Sequence, residues 1–410
     1  MKFTRKPIAL ALLVAGVSSM TVAPAAFADD AFFEALTGGK VSFSARARYE
    51  SVEQDNGLKD ADAYTLRTTL GYKTGSFHGF SGFIEAEDVS ELGDGEYEAF
   101  PAADPKTYSV IADPDDTEMN QAYLQYNGFD TEFKFGRQEL TYRGAPFHRF
   151  IGNVLWRQNH QSYDAFSFTN SSLENTELSY AYINKVQSIV GGTTDMDSHL
   201  VNLKYNGLGF GKLEGYGYFL DYEDDEAKSS KTLGLRFSGA KALNEDVKVI
   251  YTAEYAKQDD YKDGTMDDQN YYLGEVGAKY KGWLAKFSYE MQEGDGTDAF
   301  TTPLGTNHAF QGWADAFLNT KVATGGRGLE DMYFTVVGNV LGAKVVAVYH
   351  DFETDAEGLD AGNEFDILAQ KTFKQHYTVG VKYSDYDAGD AALTKLIDTE
   401  KFWLYGQVKF

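Results

Sequence analysis

The chain of 410 residues carries 62 Asp and Glu against 37 Lys and Arg, a formal net charge of −25. Such acidity excludes a nucleic-acid partner, which needs a basic footprint. The absence of cysteine rules out a disulfide framework, so stability has to come from packing or from a closed hydrogen-bond ladder.

Lys2, Arg5 and Lys6 precede an apolar run from Ile8 to Val17, and Ala26-Phe27-Ala28 follows. A basic start, a short apolar centre and an A-x-A site read as a secretory signal, 1–28, with the mature domain at 29–410. The apolar run is shorter than the ~18 residues that a spanning helix needs, and no later stretch reaches that length. A mean hydropathy of −0.41 would suit a soluble protein. A transmembrane β-barrel escapes that test, because only every second residue meets lipid.

The first strand of the mature domain contains VSFSARARYE at 41–50. Val41, Phe43, Ala45, Ala47 and Tyr49 fall on one side, and Ser42, Ser44, Arg46, Arg48 and Glu50 on the other. Two arginines facing away from an apolar row fit a strand with one wet face, as in a water-filled barrel. Strands follow at 64–73, 77–88, 118–127, 131–140, 162–170, 176–184, 198–206 and 212–221. The second half continues at 231–239, 247–257, 271–280, 283–292, 331–340, 343–352, 364–372, 376–385 and 399–410. The expected fold is therefore all-β, an antiparallel up-and-down barrel of about eighteen strands, an even number as single-chain bacterial barrels have. Short junctions such as Lys281-Gly282 and Leu341-Gly342 take turns with long acidic ones, among them 89–117, 141–161 and 293–330. That asymmetry matches periplasmic turns and outer loops, and places the barrel in the outer membrane of a Gram-negative bacterium.

Two strands resist the pattern. Phe133 and Phe135 share parity with Arg137, so either Gly136 marks a bulge or Arg137 lies beyond the lipid band. In 212–221 both faces mix apolar residues with glycine, and no side can be assigned. The last strand ends FWLYGQVKF, with Phe402, Leu404, Gly406, Val408 and Phe410 on its outer face. A terminal aromatic of this kind resembles the signal read by the outer-membrane assembly machinery.

By parity the inward row holds Arg46, Arg48, Arg67, Arg236, Lys248, Lys286, Lys344 and Lys382, opposed by Glu50, Glu254 and Glu290. Arginine rings select anions, because the planar fork engages carboxylates and stays charged. The competing reading is that these charges pair across the wall and fix its shape. Loop 141–161 adds Arg143, Arg149 and Arg157 with Trp156, His148 and His160. Loop 293–330 adds Trp313, Phe310, Phe317 and His308, and is long enough to fold into the mouth. The acidic clusters at 221–226 and 259–268 lack the regular ligand spacing of a calcium loop and read as solvated. None of the seven histidines sits in a nucleophile or metal motif. No catalytic residue, metal or cofactor is assigned, and a lipase-like barrel enzyme is the remote alternative.

The stretch FGRQELTYRGAPFHRFIGNVLWRQNHQSYDAFSF at 135–168, TPLGTNHAFQGWADAF at 302–317, GLEDMYF at 328–334, VYHDF at 348–352 and NEFDILAQKTF at 363–373 resembles the alginate-export family of outer-membrane porins. ARARYE at 45–50 is similar to that family's opening strand. The resemblance implies an eighteen-stranded barrel with an arginine-rich lumen that passes an anionic uronic-acid polymer outward. It carries that role to Arg46, Arg48, Arg67, Arg137, Arg143, Arg149, Arg157 and Arg236. The characterised exporter plugs its pore with an extended periplasmic segment near the C-terminus, whereas the turn around 373–375 is too short for one. Expectation therefore divides between anionic polysaccharide export, with a periplasmic scaffold protein as partner, and a general small-solute porin serving nutrient uptake, with small anions entering. Either stands among outer-membrane lipid and lipopolysaccharide.

Overall fold

In the computed structural model, residues 30–99, 102 and 104–410 are described; the expected signal and its cleavage site lie outside them. A short helix, α1 (Asp30–Thr37), leads into eighteen strands. The first nine are β1 (Lys40–Gln54), β2 (Ala61–Lys73), β3 (Phe80–Glu91), β4 (Asp116–Gly128), β5 (Thr131–Gln138), β6 (Ser162–Asn170), β7 (Thr176–Gln187), β8 (Thr193–Leu208) and β9 (Gly211–Leu220). The rest are β10 (Ser230–Ala242), β11 (Val247–Asp260), β12 (Gln269–Tyr280), β13 (Trp283–Gln292), β14 (Leu329–Val340), β15 (Ala343–Glu353), β16 (Asp360–Phe373), β17 (Tyr377–Asp387) and β18 (Thr399–Lys409). A one-turn helix, α2 (Thr320–Thr324), lies in the β13–β14 loop.

Every strand pairs antiparallel with the next, and β1 pairs with both β2 and β18. The sheet thus closes on itself and has no free edge. At the seam Arg46 stands opposite Gln407 and Glu50 opposite Trp403. Phe410 extends the pairing by exchanging backbone hydrogen bonds with Phe43, at 3.2 and 2.9 Å.

Turn chemistry sets the two ends apart. Lys281-Gly282 and Leu341-Gly342 carry positive φ at both residues, the two-residue hairpin conformation whose twist matches the flanking strands. The β16–β17 turn spans only 374–376, so no plug rises from it. The opposite end carries the loops, of which β3–β4, β5–β6 and β13–β14 are the longest.

Alternation sorts the two faces. Val41, Leu233, Leu235, Phe287, Val379 and Leu404 are exposed on the outer surface, while Arg48, Glu50, Glu254, Glu290 and Lys382 are buried on the inner one. A charged residue buried inside a barrel requires something to fill the lumen, and the loops supply it. The β5–β6 loop packs Leu140, Phe150 and Ile151 against Tyr163, Tyr216, Tyr218 and Tyr271 of the wall. The β13–β14 loop brings Phe300 and Leu304 to that cluster and sets Ala314 and Phe317 against Phe352 and Tyr386.

Candidate functional site

The two long loops meet over one stretch of wall, where β17, β18 and β1 are neighbours. Asp315 of the β13–β14 loop accepts from Arg157 of the β5–β6 loop at 2.9 Å and from Lys401 of β18 at 3.0 Å. Its other oxygen holds His308 Nδ1. The far ring nitrogen of His308 takes a hydrogen bond from Lys382 of β17. The Lys382 ammonium lies 3.8 Å from the ring centres of both Trp156 and Trp313, and 5.0 Å from that of Trp403. Each loop and the wall therefore contributes one tryptophan to a cage around one cation, a geometry that stabilises an ammonium away from water. His308 also stacks on Trp156, with ring centres 4.6 Å apart.

Electrostatics at this junction follow from burial. Burial pulls His308 down to about 3 despite the Asp315 carboxylate, with Lys382 adding to the shift. A neutral ring carrying its proton on Nδ1 can donate to Asp315 and accept from Lys382, as the contacts require. Burial alone would raise Asp315, but His308 and the cations of Lys401 and Arg157 hold it well below the usual carboxylate range.

The β5–β6 loop crosses the lumen on its arginines. Arg143 binds Glu254 at 2.6 Å and Glu214 at 3.2 Å. Arg149 binds Glu290 at 2.7 Å. Arg157 reaches Glu50 at 3.0 Å on the far wall. All of these groups are largely buried, so losing either partner would leave an uncompensated charge.

The wall cations divide into paired and unpaired groups. Arg67 bonds Glu87 at 2.7 Å through Nε and contacts His160 at 3.0 Å. Arg236 reaches Glu254 at 2.6 Å, and Lys286 meets Glu275. Arg48 bonds Glu50 at 2.9 Å and also Asp113, which the β3–β4 loop carries in. For most of these residues charge pairing, the competing expectation, describes the contacts. Arg46 differs. Its guanidinium donates to the Gln158 side chain at 2.8 Å, the Leu155 carbonyl at 3.1 Å and the Arg157 carbonyl, and makes no ion pair among the described residues. Lys344 and Lys248 are exposed on inward-facing rows.

Arg137 is a correction. The ladders β4–β5 and β5–β6 run past Gly136 without a register shift. Arg137 therefore shares the outward row with the exposed Phe135, and it pairs there with Asp164 at 2.7 Å. Of the two readings for this strand the bulge is therefore excluded, and Arg137 does not line the lumen. β9 is resolved as well: Glu214, Tyr216, Tyr218 and Leu220 face inward and Leu213 outward.

Below the junction, toward the short-turn end, lies a cavity of about 290 Å³. Arg46, Arg48, Lys344 and Lys382 line it with Leu155, Trp156, Trp313, Leu368 and Tyr405, and its lining contains no aspartate or glutamate. A second cavity of about 590 Å³ follows the inner wall of β4–β8, where Lys134 and Lys204 are balanced by Glu132, Glu139 and Glu177. The first is thus one-signed and the second mixed. Three groups that hold the junction and Arg48, outside the cavity lining, were not singled out from the sequence: Trp403, Asp315 and Asp113. Trp403 shares inward parity with Lys401 and was legible on that ground. The two aspartates sit in loops whose destinations no local pattern encodes.

Among the described residues no cluster of histidine, aspartate and glutamate is arranged to hold a metal. The acidic stretches 221–226 and 259–268 are partly neutralised instead: Lys262 bonds Asp197 and Asp221, and Lys257 bonds Asp268 at 2.6 Å.

Comparison with known proteins adds the family and the fold. A family model described as "Alginate export" matches residues 40–320. No curated protein matches in sequence. Among solved structures the chain is similar to OccAB2 of Acinetobacter baumannii, with TM-score 0.71, 15% identity, and coverage of 92% of this chain and 99% of that one. It is similar to OccAB4 of the same organism, with TM-score 0.70, 14% identity, and coverage of 91% and 98%. It also resembles OpdK of Pseudomonas aeruginosa, solved with vanillate, at TM-score 0.69, 12% identity, and coverage of 92% and 99%. At such identities the likeness is one of fold.

Proposed function

The chain belongs to the alginate-export family, and from that premise we propose that it is an outer-membrane channel passing anionic solutes passively through a constriction made by its two inward loops. The observation that carries this reading is the cavity at the constriction, lined by Arg46, Arg48, Lys344 and Lys382 and free of carboxylates. Arg46 has its guanidinium held by neutral acceptors, so its charge remains available to a passing anion. Passage also needs weak binding, and the absence of a second strong clamp suits release.

Scale favours small organic anions. A cavity of about 290 Å³ suits a single small ligand, and the loops crossing above it leave no straight path for a chain. Its lining pairs a basic edge with apolar walls, which fits a carboxylate on an apolar body. OpdK, a barrel of the same fold, was solved with vanillate, an aromatic carboxylate. The test is flux into liposomes carrying the purified barrel. Benzoate should enter faster than benzylamine, a cation of similar size; equal rates, or faster benzylamine, would overturn the reading.

The family description favours a second reading, export of an anionic polysaccharide. That reading requires both loops to leave the lumen together. Cross-linking Asp315 to Lys401 through engineered cysteines would then abolish polymer passage, while small-anion flux would persist.

A further inference from the structure

The segment ahead of the barrel forms a surface that the channel reading does not use. Helix α1 has the sequence DAFFEALT. At 3.6 residues per turn, Asp30, Glu34 and Thr37 share one side, and Phe32, Phe33, Ala35 and Leu36 the other. Phe32, Phe33 and Leu36 are 41%, 54% and 42% exposed, an apolar face that the folded chain leaves largely uncovered.

Its position on the barrel is set by four contacts. Tyr72 of β2 donates its hydroxyl to the Leu36 carbonyl at 2.6 Å and accepts from the Gly39 amide at 3.1 Å. The Gly75 amide donates to the Ala35 carbonyl at 2.8 Å. The Phe32 ring meets Phe77 edge-on at 5.4 Å. A Cβ at Gly75 would stand 3.1 Å from the Ala35 carbonyl oxygen, so the turn and the helix fit closely. Tyr72 belongs to the outward row of β2, with the exposed Tyr64. Its register neighbours are Val41 and Ile84, 66% and 45% exposed. The helix therefore sits on the outer rim at the short-turn end, and its apolar face continues the exposed apolar band of the wall.

We propose that α1 is an interfacial anchor: the face carrying Phe33 and Leu36 inserts into the membrane leaflet at the short-turn end of the barrel, with Asp30 and Glu34 in water. The inference rests on the reading of the barrel as membrane-spanning. A short amphipathic helix with aromatic residues on one face lies in the headgroup region and buries that face at the acyl boundary, where aromatic rings are favoured. The occupant is lipid because the surface next to the helix is the lipid-facing one; a soluble partner would have to reach across that same boundary. An anchored α1 fixes the start of β1, the strand on which barrel closure and Arg46 both depend.

The chain has no cysteine, so single labels can be placed without background. Phe33→Cys, Glu34→Cys and Leu404→Cys would each carry an environment-sensitive fluorophore, in the full barrel reconstituted into vesicles of phosphatidylethanolamine and phosphatidylglycerol. Nitroxide-labelled lipid and aqueous iodide serve as quenchers. Labels at 33 and 404 should be quenched several-fold more by lipid than the label at 34, which iodide should reach. If 404 responds to lipid and 33 responds to iodide, the helix lies in water and the inference fails while the membrane reading stands. A label at 33 shielded from both quenchers means that protein covers the face, and overturns the inference as well. If 404 itself ignores lipid quencher, the membrane reading fails with it.

Discussion

Replacing Asp315 by Asn removes one charge from the junction of both loops while keeping the side chain's size. In the wild-type junction this carboxylate, 5% exposed, meets Arg157 and Lys401, each 7% exposed. Breaking a buried pair by removing one partner costs about 3–5 kcal/mol. Arg157 keeps Glu50 at 3.0 Å, which places the loss near the lower bound. At about 1.4 kcal/mol per tenfold, the ratio of docked to undocked loop should fall roughly a hundredfold. The barrel ladder is untouched, so the melting temperature of the sheet should hardly move. Single-channel recordings should show higher conductance with frequent steps between levels, and the 293–328 segment should become sensitive to protease. Unchanged conductance together with unchanged protease resistance would refute the reasoning, because it would mean that the junction does not hold the loops.

Other perturbations separate charge from architecture. Arg46→Ser should weaken anion preference and leave the β3–β4 loop in place, because Arg46 makes no ion pair among the described residues and its hydrogen bonds go to the β5–β6 loop; Arg48→Ser should also destabilise the β3–β4 loop, since Asp113 and Glu50 lose a buried partner. Selectivity and limited proteolysis on the two variants check this, and identical behaviour would contradict it. Lowering pH should loosen the junction. His308 falls from its ordinary range to about 3 in the folded protein, so the unfolded chain binds the extra proton first, and the stabilisation, complete above about 6.5, is lost progressively toward pH 3. Conductance of wild type should rise across that window, and His308→Gln, which can still donate to Asp315 and accept from Lys382, should flatten the rise. Gly312→Ala should act like Asp315→Asn, because φ is +82° and a Cβ would lie 2.2 Å from the Glu364 carboxylate; a variant with wild-type conductance would show that this turn can shift at no cost.

Strand existence was legible because alternation is a local property. Eighteen strands read from parity and turn spacing correspond one to one with the eighteen observed, and Arg46, Arg48, Glu50, Glu254 and Lys382 face inward as their neighbours' pattern implies. Parity became unreadable where its premise, a wet lumen, does not hold. In β9 the inner face carries Tyr216 and Tyr218 because Arg143 and Phe150 of the folded loop pack on them. At Arg137 parity gave the outward side and the resemblance the lumen: near the loop end an outward arginine can be neutralised by Asp164 on the adjoining strand. The loop arginines were visible as cations, but their partners Glu254, Glu290 and Glu50 lie more than a hundred residues away in sequence, where only the closed barrel brings them together. The β16–β17 turn was rightly expected to be too short for a plug. The lumen is narrowed instead from the other end of the barrel, where the loop expected to be long enough to fold into the mouth packs on the inner wall.

Four cations line the cavity at the constriction with no carboxylate among its lining residues, and under the proposed function they set the sign of what passes. Reversal potential in a planar bilayer under a KCl gradient measures that sign directly. Wild type should reverse at a potential that favours chloride, and Arg46→Ser combined with Lys344→Ser should move the reversal toward zero. A wild-type potential favouring potassium would contradict the account.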